Sequence, residues 1–124
     1  MPRVTVNWMA EERHFFMRLT RRPLNASAQA LWHVLMNKAN SSYWHFPLKI
    51  QTGELAAILG VSVTTIKTAR AKLQQNGYIL FSNGKGGRQP ANYYLLSMVY
   101  EGQLLFGLPN TKAFEAEKQK PPQE

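Results

Sequence analysis

Lys67, Arg70, Lys72, Lys85 and Arg88 fall between Leu55 and Met98 with no acidic residue among them. Cations that no neighbouring carboxylate neutralises are free to pair with phosphate oxygens, so the chemistry open to this stretch is electrostatic capture of a polyanion. Threonines are interleaved with the first cations, at Thr64, Thr65 and Thr68. A threonine hydroxyl can bond to a base edge or a phosphate, and its methyl can touch the methyl of thymine. The composition of the stretch therefore suits nucleic acid better than a small-molecule substrate.

The elements that must position these side chains read as helix, tight turn, helix and glycine-rich hairpin. The first helix is expected over Thr52–Leu59, with Thr52 as N-cap, Glu54 in the first turn, and Leu55, Ile58 and Leu59 on one face. Gly60 ends it, Gly60, Val61 and Ser62 make the turn, and Ser62 caps a second helix. In that second helix Ile66, Ala69 and Leu73 recur on one face before Gly77 supplies the stop. This is the spacing of a helix-turn-helix, whose second helix enters the major groove. The stripe leaves Val63, Thr64, Thr65, Lys67, Thr68, Ala71, Lys72 and Gln75 outward. Arg70 lies at its margin, placed either to reach a nucleic-acid backbone or to lie along the helix. A solvated face that touches nothing is the plain alternative.

Beyond Gly77, residues 78–81 and 92–96 are rich in aromatic and bulky apolar side chains and read as two strands. The ten residues between them carry Gly84, Gly86 and Gly87 with Lys85 and Arg88. Such a tip can approach a sugar-phosphate backbone closely while the two cations neutralise phosphate or enter a minor groove. An unliganded surface loop is the other reading of the tip. The glycines lack the spacing of a nucleotide-binding loop and open no helix. Upstream, Ala28, Leu31, Trp32, Leu35, Met36 and Ala39 repeat at helical spacing, so residues 27–39 form an amphipathic helix capped by Asn25 or Ser27. Residues 46–50, with Pro47 suited to an edge, add a short strand beside the hairpin. Tyr43, Trp44, His45 and Phe46 are expected to be half-buried around it, a stacking platform for unpaired bases being the sharper reading.

The fold class expected is therefore mainly α with a small β-hairpin wing, a winged helix-turn-helix. Within 124 residues and a formal charge of +8, residues 25–100 form the nucleic-acid-binding domain. Residues 1–24 are an N-terminal extension and candidate oligomerisation segment, and residues 101–124 a C-terminal extension and linker. Phe15, Phe16 and Met17 at one end, and Leu104, Leu105 and Phe106 at the other, are candidates to meet in a homodimer face or to close the core; residues 111–118 read as a short helix. The chain has no cysteine, no apolar stretch of membrane-spanning length and no signal-peptide core after Met1, so a cytoplasmic location without membrane association is expected.

Catalysis is not expected. His14, His33 and His45 are scattered, and Glu54 is the one acidic residue from Arg13 to Tyr100, so neither a metal set nor an acid–base pair can be assembled. No catalytic, metal or cofactor-binding residue is nominated. The nucleic-acid contacts nominated are Thr64, Thr65, Lys67, Thr68, Arg70, Ala71, Lys72, Lys85 and Arg88.

The sequences at residues 27–32, 54–62, 65–73 and 76–79, with the aromatic stretch Tyr43-Trp44-His45-Phe46 and the Gly84-Lys85-Gly86 wing, resemble the N-terminal winged-helix domain of DnaD-like primosomal proteins and phage replisome organisers. The resemblance runs roughly from Phe15 to Leu96. It implies an initiator-type protein that binds duplex or single-stranded DNA at origins or scaffolds helicase loading, with helicase-loading proteins as partners and self-association into dimers or higher oligomers. A sequence-specific transcriptional regulator and a protein-interaction winged helix without DNA contact are the alternatives.

Overall fold

The computed structural model describes residues 7–84 and 90–100. In chain order its elements are α1 (Trp8–Leu19), α2 (Ala26–Ser41), β1 (Leu48–Ile50), α3 (Thr52–Leu59), α4 (Val63–Gln75), β2 (Ile79–Ser82) and β3 (Ala91–Leu95). The strands make one antiparallel sheet in the order β1-β3-β2, with Leu48 opposite Tyr93 and Phe81 opposite Tyr93 on the other side. The expected winged helix-turn-helix is thus observed, with β2 and β3 as the wing hairpin. The wing-tip cations Lys85 and Arg88, and the expectations for residues 101–124, lie outside the described residues.

Local chemistry explains the helix ends. Asn25 caps α2 by accepting from the Ala28 N–H at 3.0 Å, and Ser62 caps α4 by accepting from the Thr65 N–H at 3.1 Å. Gly60 closes α3 in the left-handed region at φ 70°. Gly77 follows α4 at φ 80°, a left-handed conformation that favours glycine, and it lies beside the Arg18 guanidinium, whose Nη2 would be 2.7 Å from a Cβ placed there. The expected cap of α3 is corrected: Gln51 holds that position in extended backbone and makes no side-chain cap bond, and Thr52 is the first helical residue, its hydroxyl accepting from Arg70. Ile58, expected inward, is 51% exposed, and Ala56 is buried in its stead beside Leu55. Leu59 is partly buried against the same core, which α3 meets through both α4 and α2.

Leu31, Trp32, Leu35 and Met36 from α2 and Ile66, Ala69 and Leu73 from α4 share a core with Tyr78, Ile79, Tyr93 and Leu95. α1 belongs to this core rather than standing apart as an extension. Phe15 stacks on Trp32 with ring centroids 3.9 Å apart and meets Tyr78 edge-on at 5.3 Å. Its neighbours Phe16 and Met17 point outward, so the three do not form one face. Arg18 donates to the Asn76 carbonyl at 2.7 Å and lies over the Tyr78 ring, tying the end of α1 to the end of α4. Glu11 is buried, accepting from Ser97 Oγ and the Met98 N–H at 2.6 Å each, which clamps α1 onto the chain leaving β3. The aromatic stretch splits as well: Trp44 and Phe46 are buried, while Tyr43 and His45 are exposed.

Leu73 is fully buried and Gln75 exposed, two residues apart on α4. Leu73→Ala is expected to cost about 2–5 kcal/mol in urea denaturation and Gln75→Ala to stay within about 0.5 kcal/mol of the parent. Equal midpoints for the two variants would contradict this packing.

Candidate nucleic-acid interface

On α4 the burial of Ile66, Ala69 and Leu73 turns Thr64, Lys67, Thr68, Lys72 and Gln75 to solvent. Ala71 is half-buried at the edge of this face. Thr65 is half-buried too, and its Oγ1 lies 2.9 Å from Ser62 Oγ, so that hydroxyl is occupied by the helix cap. Among the described residues no carboxylate pairs with Lys67 or Lys72: Glu54 is bound to Lys38, and Glu12 lies 3.3 Å from His33. The second helix of the motif therefore presents an unneutralised cationic face with two free threonines on it, open to phosphate and to base edges.

Arg70 departs from the position expected of a DNA contact. It is 5% exposed and turned inward. Its Nη1 donates to Tyr93 Oη at 3.0 Å and to Thr52 Oγ1 at 3.2 Å, its Nη2 donates to Asn83 Oδ1 at 3.0 Å, and its guanidinium lies over the Phe81 ring. The helical period carried the signal for this: 66, 70 and 73 are spaced i, i+4 and i+7, the inward stripe itself. Sequence reasoning also missed Gln74, whose Oε1 accepts from the Phe81 N–H at 2.8 Å. Arg70 and Gln74 together join the recognition helix to the base of the wing. Burial raises the Tyr93 hydroxyl above its ordinary value of 10.0, with the Arg70 hydrogen bond pulling the other way. The phenol stays neutral at physiological pH.

Residues 22–79 match the helix-turn-helix domain family. That span runs from just before α2 to the start of β2 and includes both helices of the motif and the exposed α4 face. The match suggests DNA binding. No curated protein and no solved structure matches the chain significantly. Among the described residues no helix is long and apolar enough to cross a membrane.

Arg70→Met removes three hydrogen bonds at a buried site and should lower stability by about 1–3 kcal/mol, whereas Lys67→Ala and Lys72→Ala should each leave the denaturation midpoint almost unchanged. Because the native state holds the Tyr93 proton more tightly than the unfolded chain, the stability it contributes is complete below pH 10.0 and lost as pH rises past that value. An alkaline denaturation series should fall more gently for Tyr93→Phe than for the parent.

Proposed function

We propose that this chain is the DNA-binding winged-helix module of a replication-initiation protein, seating α4 in the major groove of duplex DNA. The observation that carries the DNA-binding reading is the exposed pair Lys67 and Lys72 on the second helix of the motif, with which no described carboxylate pairs. On this reading the lysines neutralise phosphates flanking the groove, while Thr64 and Thr68 reach base edges. The wing cations Lys85 and Arg88 would add contacts to the neighbouring backbone or minor groove. Arg70 supports the interface from inside.

The replication role draws on the likeness to primosomal and phage replisome-organiser domains. It makes the module a non-catalytic, cofactor-free cytoplasmic component that marks an origin and hands it to helicase-loading proteins. A transcriptional regulator would use the same helix in the same groove, so the two are separated by the DNA selected: origin repeats in the first case, promoter operators in the second.

Binding is tested by titrating duplex and single-stranded DNA at two salt concentrations. Affinity should favour the duplex and fall steeply with salt, and Lys67→Ala/Lys72→Ala should shallow the log–log salt slope by about one unit for each phosphate that is no longer neutralised. An unchanged affinity and slope in the double variant would overturn the α4 interface.

A further inference from the structure

The turn between α1 and α2 carries two cations that have no part in the α4 face. Arg21 and Arg22 are both exposed, and Pro23 follows them. The backbone beneath them is held from two sides. The N–H groups of Arg21 and Arg22 donate to the Arg18 carbonyl at 3.0 and 2.7 Å, and the Arg22 carbonyl accepts from the Tyr78 hydroxyl at 2.9 Å. Leu24, just past the proline, is buried in the core. The two side chains therefore leave a fixed platform, and little backbone order has to be gained when they engage a ligand.

That platform stands at the C-terminal end of the recognition helix. Tyr78 lies three residues past Gln75, the last residue of α4, and Arg18 donates to the carbonyl of Asn76, the residue at its C-cap. Burial raises the Tyr78 hydroxyl above its ordinary value of 10.0, and the charges of Arg18, Arg21 and Arg22 each pull it the other way. Three guanidinium groups thus converge on one helix end. A helix C-terminus carries a partial negative charge that would repel phosphate, and here cations overlie it.

Helix length decides what those cations would meet. From Thr64 to Gln75 α4 rises roughly 16 Å, more than the roughly 12 Å width of a B-DNA major groove. A helix of that length, seated by its N-terminal residues at base edges, carries its C-terminal end out over the flanking sugar-phosphate strand. We propose that Arg21 and Arg22 form a second phosphate-binding site, which clamps the duplex backbone beyond the C-terminal end of α4. The clamp rests on the α4 DNA-binding reading and extends its footprint to the α1–α2 turn. It touches phosphate alone, so it fixes position and affinity without choosing sequence.

The test titrates the full chain with duplexes of two unrelated sequences over a series of salt concentrations. Arg21→Ala/Arg22→Ala should weaken binding to both duplexes alike and shallow the log–log salt slope by about two units, one for each phosphate no longer neutralised. Arg21→Lys/Arg22→Lys keeps the charge and should keep the parent's slope, a rescue that a purely structural role would not produce. Arg22→Ala alone should cost about one unit of slope, and its melting temperature should match the parent's, because Tyr78 bonds the main chain of Arg22 and not its side chain. An Arg22→Ala variant with the parent's affinity and slope would overturn the clamp, as would a lysine pair that loses as much slope as the alanine pair. If Lys67→Ala/Lys72→Ala shallows the slope while the arginine variants do not, the clamp alone fails; a parent that binds no duplex removes the α4 reading and the clamp with it.

Discussion

A guanidinium held inside the domain is the constraint on which the rest of the arrangement depends. Arginine cannot shed its proton to escape burial, so its donors must be satisfied where they lie. Here the acceptors are all neutral: a threonine hydroxyl at the start of α3, a tyrosine hydroxyl in β3 and an asparagine amide just past β2. Because they come from three different elements, shifting any one relative to α4 would strand part of a buried cation. The recognition helix, the first helix of the motif and the root of the wing are thereby held in one pose. Because no carboxylate takes part, the positive charge is not cancelled, and it adds to the field that a polyanion would meet.

A second set of contacts carries this rigidity to the far end of α4. Arg18 bonds the carbonyl at the α4 terminus, Gly77 leaves the space that arginine needs, and Tyr78 reaches back to the Arg22 carbonyl at 2.9 Å. Glu11 performs the equivalent task at the end of β3. α1 is therefore integral to the fold on its inner side, through Phe15, while its outer side remains available. One helix can hold the domain together and still offer a face to something else.

The motif itself was legible because it is written in short-range chemistry. Ser62, Gly60 and Gly77 announce helix ends through capping and left-handed backbone, and Ile66, Ala69 and Leu73 repeat at the helical period. What resisted reading depends on partners distant in sequence. Thr52 looked like a cap, yet it is the first helical residue and an arginine eighteen residues on bonds its hydroxyl. Arg70 looked like a surface cation because burying one requires acceptors that no local pattern reveals. Glu11 gave no sign that residues 97 and 98 would enclose it. On the exposed side of α4 the outward set followed directly from the inward one, and Thr65, drawn into its own cap, and Ala71, half-buried at the edge of the face, depart from it.

A three-stranded sheet has two open sides, and each is an invitation for another chain to add a strand. On the β2 side the Gln74 amide oxygen occupies the Phe81 N–H that an incoming strand would need. On the β1 side the strand is three residues long and follows Pro47, which has no N–H to offer. The glutamine that aligns the wing thus also shields the sheet, leaving the domain poorly suited to strand-by-strand aggregation.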